Sequence, residues 1–187
     1  MAEILGMKTV FKGWAKLSVA SVRGEDGQTF ERIIEDHGSA VCVLPYDPGR
    51  KTAVLVRQFR APVRASSAQK ELLEAIAGLN DGEDPKAAAA REAFEEAGLR
   101  LGALDYVSTA WTMPGISTER MSLYLARYAL ADREGPGGGQ ADENENITVV
   151  EIPLADLAAM VDAGTLDDLK TLALVQTLRL REPALFV

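Results

Sequence analysis

The 187-residue chain carries 28 acidic against 20 basic side chains, a formal net charge of −8, and so lacks the clustered cations that a nucleic-acid backbone demands. One histidine and one cysteine, Cys42, exclude an internal disulfide and any zinc site built from several His or Cys ligands, which leaves carboxylates for metal work. No apolar run approaches a membrane span and Met1–Lys8 has no signal-peptide pattern, so a cytoplasmic protein with no membrane partner is expected.

Met7–Lys12 and Lys16–Val22 read as strands, and Gly24-Glu25-Asp26-Gly27 turns the chain into Thr29–Glu35, making Lys16–Glu35 a hairpin. Ala40–Pro45 and Thr52–Arg57 are apolar runs joined by Asp47-Pro48-Gly49-Arg50, a second hairpin. Cys42 lies within the first run and reads as a buried small hydrophobe. Ala61–Lys70 reads as a polar loop and Glu71–Ala77 as a short extended segment. Asp84-Pro85 then opens a helix, an Asp cap followed by Pro at the first helical position, and Gly98 closes it. Leu104–Thr109 and Met121–Arg127 are strands flanking Trp111–Arg120. The glycine-rich stretch Arg133–Gly139 is biased enough to be mobile. Strand Ile147–Ile152 precedes two helices, from Pro153 to about Ala163 and over Asp167–Leu178. The pattern is α+β, or a helix–sheet–helix sandwich.

The helix after Asp84 carries the chemistry. At about 100° per residue, Ala90, Ala93, Phe94 and Ala97 are expected to share one face, with Glu92 and Glu96 opposite and one turn apart. Arg91 stands four residues before Glu95 and can pair with it, leaving Glu92 and Glu96 as like-charged neighbours that destabilise an isolated helix. A solvated acidic face is one reading. A hard-cation site is the other, since Mg²⁺ is bound by one or two carboxylates together with substrate phosphate and water.

Gly78, Glu83 and Arg91-Glu92-Ala93-Phe94-Glu95-Glu96-Ala97-Gly98-Leu99 resemble the signature box of the Nudix hydrolase family. The back half matches in full, and the expected seven residues separate Glu83 from Arg91. Only four residues separate Gly78 from Glu83, where the family has five. Either the loop is one residue short or Asp84 takes the early acidic place. The resemblance implies a Nudix-type α/β/α sandwich with a mixed sheet, preceded by an N-terminal antiparallel β hairpin or sheet. It divides the chain into an N-terminal β region (1–36), which would serve dimerisation, and a hydrolase domain (37–187). It makes Glu92 and Glu96 the principal metal ligands, Glu95 a secondary carboxylate, and the Ala77 carbonyl a further ligand; the ion would be Mg²⁺, with Mn²⁺ as the alternative.

Further segments are similar to the ADP-ribose and GDP-mannose pyrophosphatase branch, with the GDP-mannose side the nearer resemblance. Val54–Arg60 looks like a strand ending in a substrate-facing Arg, which puts Arg57 and, more strongly, Arg60 against phosphate. Glu71–Gly78 resembles the Glu-x-x-Ala-Gly approach to the box. Met113-Pro114-Gly115-Ile116-Ser117-Thr118-Glu119 resembles a Ser-Pro-Gly-x-x-x-Glu loop whose Glu, here Glu119, faces substrate. Asp142–Ile147 resembles the Glu-x-Glu-x-Ile loop, making Glu143 the general base and Glu145 an additional metal ligand, or the two exchanged. Arg32 and Lys170 are further substrate contacts by the same likeness. His37 reads as a surface residue.

The resemblance therefore implies metal-dependent hydrolysis of the pyrophosphate bond of a nucleoside diphosphate sugar, giving nucleoside monophosphate and sugar phosphate, by a homodimer. A triphosphate pyrophosphohydrolase of the house-cleaning type would keep the box without the Glu143–Glu145 loop. A non-catalytic nucleotide-sugar-binding module would be expected to lose a metal carboxylate, whereas Glu92, Glu95 and Glu96 are all present.

Overall fold

The computed structural model describes residues 1–140 and 146–187. The described chain forms two compact units, Met1–Ala40 with Thr109–Met121, and Val41–Ser108 with Ser122–Val187.

In the first unit, β1 (Glu3–Lys12), β2 (Lys16–Arg23) and β3 (Thr29–Asp36) form an antiparallel sheet in that order. The expected Lys16–Glu35 hairpin is the β2–β3 pair, with Arg23 opposite Thr29. Gly24 and Gly27 close its turn through a hydrogen bond of 3.0 Å from the Gly27 N–H to the Gly24 carbonyl. β1 is exposed along its whole length, including Ile4, Met7, Val10 and Phe11.

The second sheet runs β10 (Thr148–Pro153), β5 (Thr52–Gln58), β4 (Ala40–Asp47), β9 (Arg120–Arg127), β8 (Leu104–Trp111), with β6 (Leu72–Glu74) on β5 and β7 (Ile76–Leu79) on β4. Strands β4 and β5 are buried on both faces. Val41, Val43, Val54 and Val56 join Ala88, Ala89, Ala93 and Ala97 of helix α2 (Pro85–Ala97) in one cluster. By the two-residue alternation of a strand, Cys42, Leu44 and Leu55 face the other way. Leu154 and Leu157 of α3 (Leu154–Asp162) and Leu174 and Leu178 of α4 (Leu169–Arg181) are buried outside that cluster. The alanines of α2 lack bulk, so its backbone lies close to the sheet.

The caps of α2 are those the sequence indicates: Asp84 accepts from the Lys86 and Ala87 N–H groups, and Gly98 takes the left-handed conformation at φ 66°. Three expectations are corrected. The loop Ala61–Lys70 begins with a short helix, α1 (Ala61–Ser66), because Pro62 presets the helical φ in its first turn. The last long helix begins at Leu169 rather than Asp167, because Asp168 is its cap and accepts from the Thr171 N–H at 3.0 Å. The glycine-rich stretch is not loose: Gly138 and Gly139 donate to the carbonyls of Glu96 and Glu95 at 2.8 and 3.2 Å, and Glu134 donates to Gly98 at 2.9 Å. These bonds satisfy the open carbonyls at the end of α2. Gly137 has to be glycine here, since a Cβ would stand 2.3 Å from the Glu96 carbonyl oxygen. Among the described residues no helix is long and apolar enough to cross a membrane.

Candidate active site

Helix α2 does not turn its acids outward as its alanine pattern suggests. Phe94 is 43% exposed, covered by the Arg100 guanidinium at 5.2 Å, whereas Glu96 is 1% exposed. Ala89 and Glu96 are seven residues apart, two full turns, and so share a face. Ala88, Ala89, Ala93 and Ala97 form the buried arc around Glu92 and Glu96 rather than the arc opposite them. The sequence therefore buries Glu96 with the alanines, half-buries Glu92, and leaves the aromatic ring at the surface.

Arg91 organises the rest of the box. Its Nη1 donates to Glu92 and to Glu95, both at 2.9 Å, its Nε to Glu83 at 3.2 Å, and its Nη2 to the Leu79 carbonyl at 3.2 Å. The expected Arg91–Glu95 pair is present, and the same side chain also ties the start of the helix to β7. Burial opposes the Arg91 charge, but Glu92, Glu95 and Glu83 outweigh it and raise its pKa. Glu83 is thereby a partner of Arg91.

Gly78 meets the helix directly. A Cβ built on it would lie 2.1 Å from Glu92 Oε1 and 2.6 Å from Oε2. The short connection is accommodated by a tight turn, in which Glu83 N–H donates to the Asn80 carbonyl at 2.7 Å while Asp81 and Gly82 take positive φ values of 44° and 81°. A hard divalent cation fits this donor set: Glu92 and Glu96 offer only oxygen, on a helix face held against β7, and the Ala77 carbonyl adjoins Gly78. Among the described residues no three His, Cys, Asp or Glu side chains form a metal cluster of their own. Glu143 and Glu145, the expected base and extra ligand, lie outside the described residues.

Arg60 and Lys170 converge on one buried acid. Arg60 Nε donates to Glu74 Oε2 at 2.7 Å, and Lys170 Nζ donates to Glu74 Oε1 and, at 2.9 Å, to Asp168. Glu74 is 3% exposed. Burial works against the charge of Lys170, but Glu74 and Asp168 hold its pKa above the ordinary lysine value. Burial likewise opposes the Arg60 charge, and Glu74 outweighs it, with Glu96 and Asp168 adding to the effect. Asp168 also takes the Thr171 hydroxyl, whose oxygen accepts the Ala75 N–H at 2.6 Å, fastening α4 beside the β6–β7 corner. Arg57 is not part of this group; it is exposed and lines a cleft of about 220 Å³ with Gln69, Leu73, Met160 and Asp167.

Arg32 and Glu119 belong to the first unit. Arg32 is exposed, lies 4.3 Å over the Phe30 ring, and lines a groove of about 530 Å³ with Trp111, Pro114 and Ile116. Glu119 accepts from His37 Nε2 at 2.7 Å. His37 is not a surface residue: its side chain is 15% exposed, stacked on Trp14 and bonded to Glu35 through its other nitrogen.

Residues 36–174 match the family described as NUDIX domain. This chain belongs to the Nudix family. A GDP-mannose pyrophosphatase of Cronobacter sakazakii is 38% identical over 160 residues, covering 84% of this chain and 83% of that one. Another, from Pectobacterium atrosepticum, is 36% identical over 179 residues, 93% and 92% of the two chains. A solved structure described as an ADP compounds hydrolase superposes with a TM-score of 0.75 over 98% of this chain and 95% of the other, at 19% identity. The Nudix fold is thus shared at low identity, with the three-stranded N-terminal sheet and the mixed sheet in place. Sequence reasoning did not single out Glu35, His37 or Asp168 as functional. The signal for His37 was its singularity in the chain, and for Asp168 its place as a helix cap.

Proposed function

We propose that this Nudix chain hydrolyses the pyrophosphate bond of a nucleoside diphosphate sugar of the GDP-mannose or ADP-ribose type, releasing nucleoside monophosphate and sugar phosphate. The observation that carries the reading is the contact of Gly78 with the Glu92 carboxylate, on a helix whose second inward acid is Glu96. The names of the relatives point to the same substrate class. Nudix hydrolases use a divalent cation; here it would be Mg²⁺, or Mn²⁺ in its place, held by Glu92, Glu96, the Ala77 carbonyl and Glu145, with Glu95 orienting the group. When bound, the ion neutralises phosphate oxygens and makes water more acidic.

The protein's own groups do the remainder. Arg60 and Lys170, fixed on Glu74, bind phosphate oxygens, and Arg57, Arg32 and Glu119 contact the rest of the substrate. Water attacks one phosphorus, the bond from that phosphorus to the bridging oxygen breaks, and the second phosphate departs with the bridging oxygen. The proton of the water passes to a carboxylate, Glu143 or, with the roles exchanged, Glu145. Residues 1–36 form the dimerisation region of a cytoplasmic homodimer, a role supported by exposed Ile4, Met7, Val10 and Phe11 on β1. Light scattering of the purified chain at micromolar concentration should give twice the 20.1 kDa chain mass.

The test is product identification. With Mg²⁺, GDP-mannose or ADP-ribose should yield monophosphate, and Glu96→Gln should lower kcat by about 100-fold or more. Pyrophosphate release from a nucleoside triphosphate, with no turnover of nucleotide sugars, would assign the chain to the triphosphate class. Full turnover by Glu96→Gln would remove that residue from the site.

A further inference from the structure

His37 sits in a closed ring of hydrogen bonds within the first unit. Its Nδ1 meets Glu35 Oε1 at 2.5 Å and its Nε2 meets Glu119 Oε2 at 2.7 Å. Ser117 Oγ donates to the other oxygen of Glu35 at 2.7 Å and accepts the Glu119 N–H at 3.0 Å, which completes the circuit. The backbone reinforces it: Glu35 N–H donates to Ile116 at 2.8 Å and Thr118 N–H to Glu35 at 2.9 Å. Trp14 stacks on the imidazole with centroids 4.9 Å apart and planes 18° from parallel.

A neutral imidazole has one N–H, yet both ring nitrogens here face carboxyl groups, which in their ionised form only accept. The circuit closes when the ring carries both protons. Between a carboxyl and an imidazole the shared proton resides on the imidazole, the stronger base by roughly two units. The ionisable groups that reach the ring are Glu35 from β3 and Glu119 from the 113–119 loop. Trp14, from the β1–β2 turn, is uncharged. The neighbouring Asp36 is occupied by Lys16 at 2.6 Å and by the Thr118 hydroxyl at 3.1 Å.

We propose that His37 is a positioning residue: as an imidazolium it holds Glu119 in the orientation that contacts a nucleoside diphosphate sugar, and loss of the Nε2 proton releases Glu119. The substrate half of this inference rests on the proposed function; the proton half does not. Burial opposes the charge of His37, but its bonds to Glu35 and Glu119 prevail and raise its pKa above 6.5. The raised value means that the pin is fully set below the ordinary histidine range and is lost as pH rises through the folded-state midpoint.

The chain has one histidine, so its imidazole gives a single set of NMR signals. With ¹⁵N-histidine-labelled full-length protein, both ring nitrogens should carry protons at pH 6, with a midpoint above 6.5 that falls by about one unit in Glu119→Gln. A single protonated nitrogen at pH 6, or a midpoint unmoved in Glu119→Gln, would overturn the pin. In kinetics with GDP-mannose and Mg²⁺, KM should rise about tenfold across that same midpoint while kcat changes less than about threefold. His37→Gln should show the high KM at every pH. A KM that stays flat while His37 titrates would overturn the positioning role. If the wild type hydrolyses no nucleotide sugar, the proposed function fails, and the NMR midpoint of Glu119→Gln still decides the pin.

Discussion

Replacing Gly78 with alanine separates catalysis from folding. The new Cβ would lie 2.1 Å from Glu92 Oε1, where an ordinary contact needs at least 3.4 Å, so the carboxylate must retreat by 1.3 Å or more. The obstacle is the end of a flexible side chain, and Gly78 is not among the positive-φ glycines, so the backbone accepts alanine. Moving Glu92 weakens its bond to Arg91, worth about 0.5–1 kcal/mol for a partly exposed pair. Alanine restricts the unfolded chain and returns about 0.4–1 kcal/mol. The two nearly cancel, so the Tm should stay within about 3 °C of wild type. A misplacement of about 1 Å in a reacting group costs on the order of 100-fold in rate. Gly78→Ala should therefore fold normally by calorimetry and turn over GDP-mannose about 100-fold more slowly at saturating Mg²⁺. Turnover within threefold of wild type would refute the placing of Glu92 in the metal site.

Three other outcomes follow from the geometry. Glu74→Gln removes the charge shared by Arg60 and Lys170; with Asp168 still holding the lysine, the loss should be about 3 kcal/mol. Calorimetry should show a Tm lower by roughly 6–12 °C, and a change under 2 °C would contradict the account. Cys42 is wholly buried and its thiol pKa is pushed far up by burial, so a thiol reagent should label it only after denaturation; rapid labelling of the native chain would contradict its place in the core. Asp84→Ala deletes a cap that accepts two N–H groups and should cost about 1 kcal/mol, seen as a Tm lower by about 2–4 °C with kcat unaltered.

The parts of the fold that local chemistry dictates were legible in the sequence. Asp84, Pro85 and Gly98 bound α2, and the turn residues 24–27 and 47–50 mark both hairpins. The acidic site was legible as residue types but not as direction. Spacing gives Glu92 and Glu96 one turn apart, yet which arc of α2 faces the sheet depends on packing against β4 and β5, which lie far from it in sequence. Counting along the box made Gly78 look misplaced by one residue. Its part is visible only through the turn at Asp81 and Gly82, which brings its α-carbon onto Glu92. The His37 ring joins residues 82 positions apart, and the Glu74 group joins residues 14 and 96 positions apart. Hydrogen bonds of that range leave no periodic trace in a single sequence.

That Arg60 and Lys170 share one buried acid changes how they can serve phosphate binding. A free arginine and lysine on the surface would each lose side-chain freedom when a phosphate arrived. Here Glu74 has already fixed both, through Arg60 Nε on one oxygen and Lys170 Nζ on the other. A guanidinium has five N–H donors and an ammonium three, so these bonds do not exhaust either group. Their charge is held as well: with Glu74, Asp168 and Glu96 nearby, neither titrates in the neutral range. Cations oriented and charged in advance need no reorganisation as the substrate's charge shifts. On the proposed function, Glu74 would contribute to phosphate recognition without touching phosphate, and its effect on KM should exceed that of a surface acid at equal loss of stability.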